Sequence, residues 1–288
     1  MARSIAITKI NDDLSDFRYL FQIYDRVFRD REPKILNFTH CNFLRSNAVA
    51  FLGAINKQAK QLGIDLTFDW DSMQSGVHMN LAQSGFVNQI KGNVPGWKGN
   101  SVPYREDSIA MFDGKEIVRH LLANWLGNGR IKLGKQLKYD IVQVVYEIFI
   151  NSVEHSSSDL GIVSCGQYHP NIEELCFTVL DLGCGIPDNV RRFTNMPLLP
   201  AGNAIKWAFY EGTSTSTTNN SARGNGLKRL SDFVQLNKGE MLVFSYKGVG
   251  NTNKDGNYFS NIGSNFFPGT IVNIKLNCDK KVKYVYAD

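Results

Sequence analysis

Glu147, Asn151 and His155 recur at every fourth residue in Glu147-Ile-Phe-Ile-Asn151-Ser-Val-Glu-His155, which on a helix stacks them along one side. A carboxylate and a carboxamide at this spacing suit a hydrated divalent ion. Asn151 offers magnesium a carbonyl oxygen without adding charge. Glu147 can orient or deprotonate a water aimed at a terminal phosphate. Both directions fall within or close to the apolar stripe of Leu137, Ile141, Val144 and Ile148, so the spacing predicts that the pair points inward. An inward carboxylate needs a cation or a donor. The plainer reading is an amphipathic helix whose Glu147 and Asn151 edge into solvent. His155 suits either a phosphate contact or a satisfied histidine at a helix end.

Two later segments bear on the same chemistry. Asp181-Leu-Gly183-Cys-Gly185-Ile186-Pro187 follows the apolar run Leu175–Leu180, which places Asp181 at a strand end. A carboxylate there can accept the exocyclic amino hydrogen of adenine, where guanine offers an oxygen. Gly183 and Gly185 permit backbone conformations and close approach that a Cβ would block, although a tight turn needs no more. The third segment runs from Glu211 to Lys228 and is polar and small until Leu227. Thr213, Ser214 and Thr215 supply hydroxyl donors, and Arg223 or Lys228 supplies charge. The amides of Gly224, Asn225, Gly226 and Leu227 open a helix whose dipole attracts phosphate. Such a stretch makes a lid or a plain surface loop. Gly269-Thr270 on a late strand closes the set. The phosphate loop G-x-x-x-x-G-K-[ST] does not occur, and no Gly-x-Gly-x-x-Gly follows a strand in a βαβ unit, so those two nucleotide sites are unsupported.

Elements must hold these residues in place. Asp16–Phe28 has helical spacing with an aromatic face. Residues 35–38 form a strand, a polar turn leads to Ser46, a helix runs from Ala48 to Leu62 and stops at Gly63, and residues 64–68 alternate as a strand. That strand–helix–strand unit predicts a parallel pair with a right-handed crossover. Residues 91–108 read as a linker rich in Gly and Pro. Helices are expected at 116–126, 134–155, 204–210 and 227–234, and strands at 161–167, 175–180, 241–246 and 270–276, mostly as antiparallel neighbours.

The 288 residues suffice for two domains, and 43% hydrophobic with 20% charged residues is a soluble balance. A net charge of +5 without a dense Lys/Arg block weighs against a specific nucleic-acid site. Five cysteines in no CxxC pair suggest reduced thiols and a cytoplasmic protein. No run approaches the roughly 20 apolar residues of a membrane span.

Taken together, residues from about 115 to 288 resemble the GHKL ATP-binding domain, or Bergerat fold, shared by DNA gyrase B, Hsp90, histidine kinases and MutL. Glu147-x-x-x-Asn151-x-x-x-His155 is similar to the N-box, Asp181-Leu-Gly-Cys-Gly185 to the G1 box, and Gly224-Asn-Gly226-Leu227 to the G2 box after the ATP lid. The resemblance implies a general base at Glu147, magnesium at Asn151, adenine at Asp181, and support for that aspartate from Thr270. It also implies an α/β sandwich with a mixed, mostly antiparallel sheet covered by helices, occupying 109–288. The stretch 247–268 resembles a hairpin insertion. Residues 33–90, within an N-terminal region 1–108, resemble a STAS-like α/β domain. Asn37-Phe-Thr39 stands where that family often has Asp-x-Ser, and Ser46 stands at the phosphorylatable serine or, more simply, at a helix N-cap.

Three functions compete. An ATPase would use ATP and magnesium to switch conformation for a protein partner docked through the STAS-like half, with dimerisation coupled to lid closure. A serine protein kinase of the anti-sigma-factor type also carries Glu and Asn in this box. A scaffold would sense ATP without hydrolysing it. The Glu147/Asn151 pair favours the first.

Overall fold

The computed structural model describes residues 2–97, 99–127, 129–155, 158–210 and 226–286. The chain opens with β1 (Arg3–Ala6), α1 (Leu14–Phe28), β2 (Lys34–Asn37), α2 (Ser46–Gln61) and β3 (Leu66–Asp69). The three strands pair in parallel in the order β1-β2-β3, so the expected parallel pair is present and gains a third strand. Asp13 starts α1 with a capping box, its side chain accepting from Ser15 and Asp16 while Asp16 reaches back to the Asp13 amide.

Helix α2 is buried nearly all round from Ser46 to Asn56. A helix that is apolar or small on every side must lie between two layers, and α2 packs on β3 and on two strands of a second sheet. Gly53 permits that approach, because a Cβ there would strike the Tyr104 ring. Ser46 corrects the cap expectation. It is the first helical residue, Arg45 is the N-cap, and the Ser46 hydroxyl is buried without a hydrogen-bond partner among the described residues.

After α3 (Ser75–Gln83) and α4 (Phe86–Lys91) comes β4 (Ser101–Asp107), where the sequence suggested a linker. Pro103 and the neighbouring glycines hid it. Val102 and Tyr104 are nevertheless buried, and the register of β4 against its neighbour shifts between Val102 and Arg105, which is how an edge strand accommodates proline. The chain continues through α5 (Gly114–His120), which runs on as a π-helical turn to Trp125, then β5 (Lys132–Leu133), α6 (Lys135–His155), β6 (Ile162–His169) and β7 (Glu174–Asp181). Next come α7 (Ile186–Thr194), α8 (Ala201–Ala208), α9 (Gly226–Leu236), β8 (Glu240–Tyr246), β9 (Gly248–Asn253), β10 (Gly256–Asn261), β11 (Phe267–Asn277) and β12 (Lys283–Tyr284). The sequence reading missed α7, although Pro187 in its first turn and the adjacent Asp188 are helix-start signals.

Seven strands form one sheet in the order β10-β9-β8-β11-β7-β6-β4, with every neighbouring pair antiparallel. The expected hairpin at 247–268 is β9–β10 at one edge. One core joins α1, α2 and the small sheet to one face of the large sheet, with Phe17 and Phe21 packed on Phe244 and Phe21 stacked on Phe267. A second core joins the opposite face to α5, α6 and α9. The molecule is thus mixed α/β, with a large antiparallel sheet covered by helices. No described helix is long and apolar enough to cross a membrane.

Candidate functional site

Asp181 ends β7, opposite Ile162 of β6 and Thr270 of β11. Its side chain is buried, 5% exposed. The single hydroxyl proton of Ser152 is shared between Asp181 Oδ2 at 3.0 Å and the Ile148 carbonyl one turn back at 3.1 Å. Its other oxygen, Oδ1, has no hydrogen-bond partner among the described residues. Burial pushes the carboxyl up to about 7, against the pull of the Ser152 hydroxyl and, more weakly, of the nearby Thr270 backbone amide, which does not reach hydrogen-bonding geometry with Oδ1. A buried acceptor left open is costly, and the proton that the raised carboxyl keeps lowers that cost.

The turn after Asp181 is held from β8, across β11. Gly185 caps α7 in extended conformation, and a Cβ on it would strike the Ser245 hydroxyl. Ser245 Oγ accepts from the Ile186 amide at 3.0 Å and donates to the Gly269 carbonyl at 2.7 Å. The register of β11 against β8 slips between Phe267 and Thr270. Gly269 sits in that irregularity at φ +93°, and a Cβ there would collide with the Asp181 carbonyl. The bulge sets Thr270 opposite Asp181, its hydroxyl 3.4 Å from Ser245 Oγ. Tyr246, at φ +54°, donates to Asp188 on α7 at 2.7 Å and ties the turn down further.

Helix α6 supplies the third wall, and here the inward expectation is corrected. Its buried face runs through Ile141, Val145, Ile148, Phe149 and Ser152. Asn151 and Glu147 lie roughly 100° and 140° from the middle of that face by helical geometry; Asn151 is exposed and Glu147 is half-buried. Glu147 is covered because the first turn of α9 leans on it. A Cβ on Gly226 would meet its carboxylate. The acid and the helix N-terminus that the sequence singled out therefore meet, with Leu227 packed partly buried behind them. Lys228 turns away and pairs with Asp232 on its own helix, 2.5 Å from Oδ1.

The structure thus brings Asp181, Gly185, Ile186 and Thr270 together around Ser152, Ser245 and Gly269, and separately sets Glu147 against Gly226; Asn151 is exposed, next to Ser152 in the sequence of α6. Gly183 lies half-buried in the turn. Thr213, Ser214, Thr215, Arg223, Gly224 and Asn225 fall outside the described residues, as does the His155 side chain. Ser152 and Ser245 were missed. Ser152 carried a signal, being a hydroxyl on the apolar stripe four residues after Ile148. Ser245 carried none, since a small polar residue at a strand end has many causes.

The far end of β7 holds a different cluster. Asp12, Glu174 and Cys176 approach closely enough for a metal, but cations of the chain already occupy the space. Arg45 bonds Glu174 and lies 3.3 Å from Asp12, while Lys275 lies 3.4 Å from Asp12 and also pairs with Glu240. This is an internal ion network tying the N-terminal layer to the sheet. No family model matches this chain, and no curated protein does.

Proposed function

We propose that the chain binds ATP with magnesium at the Asp181 site and hydrolyses it slowly, as a conformational switch read by a protein partner. One observation carries this reading: a buried carboxylate at a strand end has one oxygen held by Ser152 and the other open. That oxygen suits the exocyclic amino group of adenine. Gly185 and Gly269 let the turn beside that carboxylate pack closely on Ser245 and on the Asp181 backbone, where a Cβ would collide.

The fit extends to the phosphates. A helix start near Gly226 would favour anionic groups, and Glu147, which approaches Gly226, would orient an attacking water and take its proton. Asn151 is the residue that would hold magnesium, its carboxamide exposed one position from Ser152. When bound, the ion neutralises charge on the phosphate oxygens. The finer assignment is a Bergerat-type nucleotide domain carrying a STAS-like layer, and the three parallel strands with α1 and α2 support the second part. The partner would dock on that N-terminal layer, which shares its core with the sheet behind the site.

Incubation with ATP labelled on the γ-phosphate tests the reaction. Expected are free labelled phosphate from the wild type and a loss of about 100-fold or more in Glu147→Ala with ATP binding retained. Label transferred to protein instead of phosphate would make the chain a kinase. Unchanged turnover in Glu147→Ala would remove that residue as the base.

A further inference from the structure

The two edges of the large sheet are built differently. Strand β4 carries Pro103, Arg105, Glu106 and Asp107 and a register shift. Its Tyr104 amide is satisfied by the Ser84 carbonyl at 2.8 Å, and Arg130 covers the carbonyls of Gly99 and Ser101. These are the devices that keep a sheet edge from pairing. Strand β10, Gly-Asn-Tyr-Phe-Ser-Asn, has six residues, no charge, no proline and an unbroken register with β9.

The outward groups of β10 can be identified. The Ile262 amide donates to the Lys247 carbonyl at 2.7 Å. Directly opposed residues in an antiparallel pair alternate between bonded and non-bonded. Gly256, Tyr258 and Ser260 therefore bond β9, and the N–H and C=O groups of Asn257, Phe259 and Asn261 point away from it. Among the described residues nothing pairs with those groups. The side chains of Asn257 and Asn261 are turned onto the molecule itself, to Ser231, Gln235 and the Gly202 amide, and Phe259 packs on Phe209. Tyr258 is 54% exposed and Ser260 is exposed.

We propose that β10 pairs antiparallel with β10 of a second copy of this chain, joining the two large sheets into one across a two-fold axis at Phe259. The choice of occupant follows from symmetry. With Phe259 opposite Phe259, Asn257 faces Asn261 of the second copy and Asn261 faces its Asn257. All three outward residues are then bonded, giving about six main-chain hydrogen bonds, two for each facing pair. The interface is isologous and closes on itself. No charge in Gly256–Asn261 opposes it, and the turn residues Lys254 and Asp255 fall opposite Ser264 and Gly263 of the second copy. The pairing stands whether or not the chain binds nucleotide.

In this register Tyr258 faces Ser260 of the second copy in a non-bonded pair, where Cβ atoms come closest. Sedimentation of the full chain at about 100 µM should show a dimer. Tyr258→Lys with Ser260→Lys places like charges opposite each other twice and should give a monomer. Tyr258→Lys with Ser260→Glu places opposite charges there and should restore the dimer. Tyr258→Cys with Ser260→Cys should cross-link two copies on oxidation, while Tyr258→Cys alone should not. A wild type that stays monomeric, a dimer that survives the double-lysine variant, or a cross-link from the single cysteine would each overturn the proposal.

Discussion

A carboxyl pushed up to about 7 at Asp181 has two consequences that can be measured. The folded chain keeps this proton to near neutrality, while an unfolded chain releases it near pH ~4. Between those values the folded state holds more protons, so stability falls as pH rises through that window and levels off above it. His120 and His169, held neutral down to about 4 by burial, push the other way. The difference between wild type and Asp181→Asn cancels their contribution. The denaturant midpoint of the wild type should therefore fall relative to that of Asp181→Asn as pH climbs from ~4 to ~7; parallel curves would contradict a raised Asp181. The second consequence concerns binding. A donor arriving at Oδ1 favours the ionised form, so nucleotide should bind with proton release near neutral pH and gain affinity as pH increases.

At the scale of elements, the site depends on a bulge. Gly269 combines a left-handed backbone with a Cβ direction aimed into the Asp181 carbonyl, whereas Gly263, at φ +68°, faces open space. Backbone strain alone costs about 1–2 kcal/mol. Gly263→Ala should cost about that much, and Gly269→Ala distinctly more, with loss of nucleotide binding because Thr270 and Asp181 are forced apart. Equal shifts in urea midpoint would show that the close approach is unimportant. The elements around this bulge were largely legible in the sequence. Long helical periodicity gave α2 and α6, and apolar runs gave β6, β7, β8 and β11. β4 and α7 escaped because Pro103 and the polar Asp188-Asn-Val-Arg-Arg segment look like loop, and only tertiary pairing or a helix-start signal says otherwise. The direction of α6 was misjudged for a related reason. Its stripe is broad, and the face that buries is decided by the sheet and by α9, neither of which local spacing contains. Hence local spacing showed neither the flanking position of Glu147 and Asn151 on α6 nor the hydroxyl of Ser152 beside Asp181.

At the scale of the whole molecule, the N-terminal layer is part of the same core as the sheet that carries the site. Arg45 is its main polar tie, set between Asp12 on one layer and Glu174 and Cys176 on the other. Removing one partner of a buried ion network leaves the others uncompensated, at a cost of about 3–5 kcal/mol. Arg45→Ala should lower stability by that order in urea denaturation, and a change within error would mean the tie is incidental. Asp181 ends β7 at one end and Glu174 begins it at the other, so the candidate site and the ion network share one strand. The most direct measurement is calorimetric titration of magnesium-ATP and magnesium-GTP into the wild type and into Asp181→Ala. The expected result is saturable ATP binding to the wild type alone, with GTP bound by neither. ATP bound equally well by Asp181→Ala, or not at all by the wild type, would contradict a nucleotide site at this carboxylate.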